Sequence, residues 1–216
     1  IIVASVAAIY GLNDPEEYNS LIFDLVQGET IDRKELFAKL VEAQYTRNDI
    51  DLSPGTFRAR GENIEIAPAS TSEFIIRVEM FEDEVERVCE VDPLTGKVKA
   101  AFKRYPIYPA YTYSSRRERI LEAIPRIKEE LKERLEYFRK ENKYLEAERL
   151  EQRTRHDLES LQEFGICPGI ENYSRHIDKR LPGEPPFTIF DYFKNKDYLL
   201  VIDESHVTLP QIRGMF

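Results

Sequence analysis

Apolar and polar residues alternate with a period of two between residues 56 and 91, which is the spacing of β-strands with one buried face. Thr56–Arg60 and residues 64–66 flank the turn sequence Gly61-Glu62-Asn63 and predict a β-hairpin. Residues 74–81 and 85–91 predict a second antiparallel pair. Together they predict an α+β module with an antiparallel sheet. The predicted core positions of the first hairpin are Phe57, Ala59, Ile64 and Ile66, and its predicted outward positions are Arg58, Arg60 and Glu65.

Other segments repeat apolar residues every three or four positions, which predicts helices. The sequence Asn13-Asp14-Pro15 starts one helix, which should extend to about Val26. A second helix is predicted from Thr30. Its expected inward residues are Leu36, Phe37, Leu40 and Val41.

Residues 114–164 predict a helical hairpin. Ser114 or Ser115 caps the first helix, and Pro125 within its apolar stripe predicts a kink or a restart. The second helix covers Tyr144–Phe164 and ends before Gly165, a residue favoured after helix C-termini.

Two apolar runs, residues 1–10 and 198–202, have the pattern of buried strands. Strands that are buried on both faces are typical of parallel α/β sheets, so the runs predict part of an α/β lobe. Because such strands need neighbours, we expect the chain to be an internal fragment of a longer protein.

The composition restricts the possible functions. The 216 residues include 31 Lys and Arg against 40 Asp and Glu, a formal net charge of −9, and no segment is strongly basic. We therefore expect weak DNA binding by this chain alone. No apolar run approaches the roughly 20 residues that a membrane span needs. Cys89 and Cys167 lack zinc-type spacing, which favours reduced thiols and a cytoplasmic protein.

The strongest chemical signal is the apolar run 199–202 followed by Asp203-Glu204-Ser205-His206. Acids at the carboxyl end of a buried parallel strand lie where α/β proteins bind ligands. In phosphoryl transfer the first acid holds Mg²⁺, usually through water, and the second orients or deprotonates the attacking water. Asp203, Glu204 and His206 thus form a candidate catalytic motif of the Walker B, DExH type, with Asp203 as the Mg²⁺ residue. An ordinary strand and polar turn is the alternative.

A working ATPase also needs a Gly-rich loop with the pattern G-x-x-x-x-G-K-[ST] to hold the phosphates. This sequence does not contain that pattern. We therefore expect no ATP hydrolysis, and no bound ATP or Mg²⁺, for the chain by itself.

The outward face of the predicted sheet is rich in arginine, a residue enriched at protein interfaces. A solvated sheet face is the alternative interpretation. The residues concerned are Arg47, Arg58, Arg60, Arg77 and Glu79.

A second polar cluster follows the helical hairpin. Tyr173, Arg175 and His176 fall in a predicted loop, where they could contact a phosphate backbone or stack on a base. A hydrogen-bonded loop without a ligand is the alternative.

Long motifs in the chain resemble the UvrB family of bacterial nucleotide excision repair proteins, over essentially all 216 residues. The resemblance implies a superfamily 2 helicase-like protein that receives damaged DNA from UvrA and recruits the UvrC nuclease. It implies ATP and Mg²⁺ as cofactors of the intact protein. In chain order, the motifs are VASVAAIYGLNDPEEY, QYTRNDIDLSPGTFRARGENIEIAPA, EQRTRHDLESLQEFGICPGIENYSRH and LLVIDESHVTLPQIRGMF.

The resemblance also implies a domain plan. The implied fold is an α/β and α+β multidomain protein, in which a partial P-loop NTPase lobe carries an inserted antiparallel α+β domain and a helical hairpin subdomain. Residues 1–20 and 185–216 would belong to the first ATPase lobe. Residues 21–113 would be the UvrA-binding insert, and residues 114–184 the helical subdomain beside the DNA path.

Site residues follow from the same resemblance. Asp203 and Glu204 match the motif II acids of the helicase. The implied DNA-path residues are Ser5, Arg153 and Glu171, and the implied UvrA-contact residues are Arg47, Arg58, Arg60, Arg77 and Glu79.

Two alternatives remain open at this point. One is an interaction module with no catalytic function, which is favoured if the region of Asp203 is unpaired in the isolated chain. The other is the UvrA-binding part of a transcription-repair coupling translocase, whose motif II is expected to lack Ser205-His206 in this form.

Overall fold

Residues 16–114 form one unit, and residues 1–15 together with 115–216 form another. The computed structural model describes residues 1–9, 11–111, 113, 115–194 and 196–214. The Ser114 cap prediction lies outside the described residues.

The first unit is built on a six-stranded sheet whose strands lie side by side in chain order. Neighbouring strands are antiparallel, except that the first two, Thr46–Arg47 and Thr56–Arg60, are parallel. Both predicted hairpins are confirmed by this pairing. The strands are β2 (Thr46–Arg47), β3 (Thr56–Arg60), β4 (Asn63–Ile66), β5 (Ile75–Phe81), β6 (Glu84–Val91) and β7 (Val98–Phe102).

Helix α2 (Arg33–Glu42) belongs to the hydrophobic core on one face of this sheet. It begins at the N-cap Asp32, whose side chain accepts a hydrogen bond from the backbone N–H of Lys34. The core includes Leu36, Leu40, Phe57, Ile64, Ile66, Ile76, Val78, Met80, Val85 and Val88.

The predicted helix from residue 15 to 26 is wrong in its second half. Helix α1 covers only Pro15–Ser20, and the next residues form strand β1 (Phe23–Val26). Strand β1 pairs with β8 (Arg104–Ile107) in a separate two-stranded sheet. Pairing with a segment so distant in sequence overrides the local helical pattern.

The second unit contains the predicted helical hairpin. Helices α3 (Arg117–Lys140) and α4 (Tyr144–Phe164) pack together, and the short helix α5 (Ser174–Ile177) packs on α3. Gly165 follows α4 with a φ of 74°, the left-handed conformation that glycine adopts most easily, so the predicted C-cap is confirmed. Its shorter helices are the 3₁₀ segments Val6–Ile9, Ile170–Tyr173 and Ile189–Phe193, and helix α6 (Ser205–Arg213).

Two predictions at the start and middle of α3 are corrected. The N-cap is Arg116, without a side-chain cap, so Ser115 does not cap the helix. The helix also continues through Pro125, so the predicted restart is wrong, while the kink stays a prediction. Proline removes one backbone hydrogen bond. Buried Ile120, Ile124 and Ile127 on both sides of it keep the segment helical by packing.

The two predicted parallel strands are wrong within the described residues. Ile1–Ser5 has no regular structure and Tyr10 is outside the described part, while Leu199–Ile202 is an exposed segment outside any sheet. A parallel strand is stabilised by hydrogen bonds to neighbouring strands. Neither described sheet offers such a neighbour to these two segments.

The side chains of α2 provide a direct test of the core. Leu40 is fully buried, whereas Val41, which was also predicted to face inward, is 57% exposed. We expect Leu40→Ala to lower the free energy of unfolding by about 2–5 kcal/mol, because it leaves a cavity. The matched variant Val41→Ala should change it by less than about 0.5 kcal/mol. Urea denaturation of both variants measures the difference, and equal losses would contradict this packing.

Candidate functional site

The sheet face opposite α2 carries two rows of polar side chains. In the first row, the register places Glu65 between Arg58 and Arg77. In the second row, Asn63 lies between Arg60 and Glu79, and Arg87 lies beyond Glu79. We call six of these residues the charged sheet face: Arg58, Arg60, Glu65, Arg77, Glu79 and Arg87.

Glu65 is the most enclosed charge of this face, with 5% of its surface exposed. Its Oε2 accepts a hydrogen bond from Nε of Arg58 at 2.7 Å and lies 2.7 Å from Nη2 of the same guanidinium in an ion pair. Its Oε1 accepts from Nε and Nη2 of Arg77, at 3.1 and 2.8 Å. The prediction that Glu65 faces solvent is therefore wrong, because two arginines from neighbouring strands cover it.

The two arginines also determine the protonation of this carboxyl. Burial alone would raise the pKa of Glu65, but hydrogen bonds from Arg58 and Arg77, together with their charges, outweigh it. The pKa of Glu65 is therefore held below its ordinary value. The side chain remains a carboxylate at neutral pH, although it is almost excluded from water.

The second row is more open. Arg87 Nη1 lies 3.9 Å from Glu79 Oε2, a loose ion pair with 43% of the arginine side chain exposed. Arg60 is exposed at the end of β3 and has no side-chain partner among the described residues. This row can therefore exchange its contacts for those of a binding partner at little cost.

Arg47 does not lie with the other predicted contact residues. Its guanidinium lies 5.3 Å from the ring centre of Phe37 in α2, and it forms an ion pair with Asp49 at 2.9 Å. Strand β2 places Arg47 beside Phe57, whose side chain points into the core. The structure thus brings together Arg58, Arg60, Arg77 and Glu79, with Arg47 at the edge of the opposite face.

Asp157 organises the first part of the predicted DNA-binding cluster. This residue of α4 is buried, and its Oδ2 accepts a hydrogen bond from the hydroxyl of Tyr173 at 2.7 Å. Burial, the hydrogen bond to Asp157 and the Asp157 charge raise the pKa of Tyr173. Arg153 Nε lies 3.8 Å from the same oxygen, with 69% of the arginine side chain exposed. Tyr173 is thus fixed, while Arg153 can reach a ligand.

Glu130 of α3 organises the second part of the predicted DNA-binding cluster. Its Oε2 accepts a hydrogen bond from Arg175 Nη2 at 2.6 Å and also contacts His176 Nε2. Burial alone would raise the pKa of Glu130, but the hydrogen bond from His176 and the charges of Arg175 and His176 lower it. Arg126 Nη1 donates to the backbone carbonyl of His176 at 3.2 Å. These contacts match the hydrogen-bonded alternative for this segment, which is a short helix rather than a loop.

The remaining predicted DNA-path residues lie apart from these contacts. Ser5 is exposed, and its carbonyl accepts a hydrogen bond from the N–H of Ala8 at 3.0 Å. Glu171 lies in the 3₁₀ segment that precedes Tyr173. Gly169, before it, has a φ of 76°, and a Cβ there would lie 2.9 Å from Asn172 Nδ2. Glycine is therefore the residue that can precede this 3₁₀ segment without backbone strain.

Asp203, Glu204 and His206 are exposed and lie outside both sheets of the described residues. Asp203 Oδ1 accepts a hydrogen bond from the N–H of Glu204 at 2.9 Å, and His206 Nδ1 lies 3.2 Å from Glu204 Oε2, on exposed side chains. A Mg²⁺–nucleotide site needs the acids at a strand end, facing a phosphate-binding loop. Neither requirement is met in the described part of the chain, so we derive no step of ATP hydrolysis from it.

No group of three or more His, Cys, Asp or Glu side chains among the described residues is arranged to hold a metal ion. None of the described helices combines the length and hydrophobicity that crossing a membrane requires.

Sequence reasoning missed four residues that shape these sites: Glu65, Glu130, Asp157 and Arg87. Asp157 gave a usable signal, because a carboxylate on the buried stripe of a helix is rare unless it is paired. Glu65 gave no such signal, because the observed turn is one residue shorter than predicted and this shift is what places Glu65 opposite Arg58. Arg87 could have been found, because the predicted second hairpin places it opposite Glu79, as observed. Glu130 could not be assigned, since its partners Arg175 and His176 lie far along the chain.

The buried ion pairs of Glu65 predict a pH-dependent stability. We expect Glu65→Gln to lower the free energy of unfolding at pH 7 by about 1–3 kcal/mol, since it removes the negative charge between two guanidinium groups and replaces one acceptor oxygen by an NH2 donor. Because the pKa of Glu65 is lowered by folding, its contribution is complete above the unfolded value near 4.5 and is lost as the pH falls through the folded value. The difference between the wild-type chain and the variant should therefore shrink below about pH 4.5.

Urea denaturation between pH 3 and 8 measures this difference. Glu62→Gln is the matched control, because Glu62 is exposed in the adjacent turn. A difference between wild-type chain and Glu65→Gln that stays constant over the whole pH range would contradict the ion-pair assignment.

Comparison with known proteins places both units in one family. The family model of the UvrB interaction domain matches residues 23–113, which include the whole charged sheet face. The family model of the UvrB third helical domain matches residues 118–179, which include α4 and α5.

Whole-chain relatives agree with these two matches. The chain is 55% identical over all 216 residues to UvrABC system protein B of Bacillus licheniformis, and 51% identical to that of Carboxydothermus hydrogenoformans. It is also 55% identical to UvrABC system protein B of Staphylococcus aureus strain N315. The chain spans 32% of the length of each of these curated relatives. With both domain models and identity across the whole chain in agreement, the chain belongs to the UvrB family.

Proposed function

We propose that this chain is the UvrA-docking part of a UvrB protein in bacterial nucleotide excision repair, and that the charged sheet face is its docking surface. One observation carries the proposal. Arg58, Arg60, Arg77 and Glu79 converge on a single sheet face within the residues that match the UvrB interaction domain.

The chemistry of the face suits a charged protein partner. It holds four arginines and two glutamates, and arginine is enriched at protein interfaces. The rigid guanidinium fork also favours bidentate contact with carboxylates. Arg60, which has no side-chain partner among the described residues, is available to an incoming acid. The opposite face is occupied by the core against α2.

Further roles belong to the longer protein as proposals. We propose that Arg153 lies beside damaged DNA, because its side chain is 69% exposed, and that Ser5, Glu171, Tyr173, Arg175 and His176 belong to the same DNA path. We also propose that residues 1–20 and 185–216 complete an ATPase lobe, in which Asp203 holds Mg²⁺ and Glu204 and His206 serve ATP hydrolysis. UvrC recruitment is a proposal of the same kind.

For this chain by itself, a specific observation favours a plain interaction module. The segment Leu199–Ile202 is unpaired, and Leu199 is 89% exposed. An unpaired strand cannot hold the motif II acids in place for catalysis. Docking is therefore the function that we assign to the chain as given.

Charge reversal tests the docking surface. We expect Arg60→Glu to weaken binding of this chain to UvrA by about tenfold or more, because like charges then meet across the interface. Arg60 is preferred to Arg58, whose reversal would also disturb Glu65. The matched control is Lys34→Glu, which makes the same charge change at an exposed position of α2.

Isothermal titration calorimetry of UvrA with each chain measures the effect. Unchanged circular dichroism and unfolding midpoints confirm that the variants are folded. Equal affinities of the two variants would contradict the proposed docking surface.

A further inference from the structure

Glu65 is an unexpected residue for its position. A nearly buried carboxylate with two arginines is costly to desolvate, and well-packed apolar side chains in its place are often as stable or more stable. The sheet has its main core on the other face, where Ile64 and Ile66 of the same strand are buried. Packing of the sheet alone therefore does not require a charge at residue 65.

The contacts of Glu65 are arranged in a consistent way. Each arginine uses the same edge, Nε with Nη2, and each edge contacts one carboxylate oxygen. A guanidinium carries five N–H donors in a rigid plane, so this arrangement leaves the Nη1 donors of Arg58 and Arg77 pointing away from Glu65. Within the described part of the chain, these Nη1 donors have no acceptor.

Two guanidinium groups are thus held in fixed orientations before any partner arrives. Their side chains are 15% and 21% exposed, so they are packed against the sheet. Ordering long side chains normally weakens binding, and side chains that are ordered in the free protein avoid that cost. The four arginines of the charged sheet face outnumber its two glutamates, which favours a negatively charged partner group.

We propose that Glu65 is a positioning residue, which makes Arg58 and Arg77 a preformed receptor for carboxylate side chains of UvrA. This inference rests on the proposed docking function. The free Nη1 donors bind the carboxylates of the partner, while Glu65 keeps both guanidinium planes in place. Glu65 and Glu79 on the same face disfavour the alternative ligand, a nucleic-acid backbone.

The sign of the effect distinguishes positioning from charge alone. Glu65→Gln makes the face more positive, so a purely electrostatic surface would bind an acidic partner more tightly. If Glu65 positions the arginines, the same substitution weakens binding, by about tenfold. Arg77→Lys keeps the charge but removes the planar N–H donors of the guanidinium group, so it should weaken binding to a similar degree.

The experiment titrates UvrA with the 216-residue chain and its variants by calorimetry at two salt concentrations. Glu62→Gln is the control, because it removes one negative charge from the adjacent turn without touching an arginine. The expected result is weaker binding for Glu65→Gln and Arg77→Lys, and unchanged or tighter binding for Glu62→Gln. If Glu65→Gln does not fold, Glu65→Asp takes its place: it keeps the charge but shortens the side chain that contacts both arginines, so weaker binding supports positioning and unchanged binding overturns it.

Two other outcomes are informative. If a folded Glu65→Gln chain binds UvrA as tightly as the wild-type chain or more tightly, the positioning role is overturned. It is also overturned if the wild-type chain binds a labelled DNA duplex and does not bind UvrA. If Arg60→Glu leaves UvrA affinity unchanged, the docking function itself fails. The two failures are therefore distinguishable.

Discussion

Glu65 lies between Arg58 and Arg77 with 5% of its surface exposed, and the arrangement of the charged sheet face depends on this three-residue contact. The three residues come from three adjacent strands, β3, β4 and β5. The sheet register therefore sets their spacing, and the hydrogen bonds set the orientation of both guanidinium planes. A surface that would otherwise be a set of mobile side chains becomes one with a defined shape.

Carboxylates also contact several donor side chains in the helical unit. Asp157 holds the Tyr173 hydroxyl with Arg153 nearby, and Glu130 contacts both Arg175 and His176. In both places one carboxylate from a regular element orders donors that sequence reasoning assigned to ligand binding. The arginines of both predicted sites are thus paired with acids, which is compatible with an overall charge of −9.

Elements with local patterns were predictable from the sequence. The first β-hairpin follows from its turn, but the observed turn is one residue shorter than predicted, and only this shorter turn pairs Arg58 with Glu65. The partner Arg77 could not be found in this way, since the link between β4 and β5 does not determine their register. Strand β1 was mistaken for helix because its partner β8 lies far along the chain. The segment at 199–202 has the composition of a strand, but composition does not supply the neighbour that a strand needs.

The central claim is that Glu65 orients Arg58 and Arg77 before UvrA binds, and NMR of the arginine Nε–H groups tests it most directly. In the ¹⁵N-labelled chain, assigned with Arg58→Lys and Arg77→Lys, we predict two Nε–H signals that exchange slowly with water and differ from that of exposed Arg60. Both signals should shift together when Glu65 is protonated, at a pH below the ordinary pKa of a glutamate side chain. Signals that coincide with that of Arg60, or that shift independently, would contradict the claim.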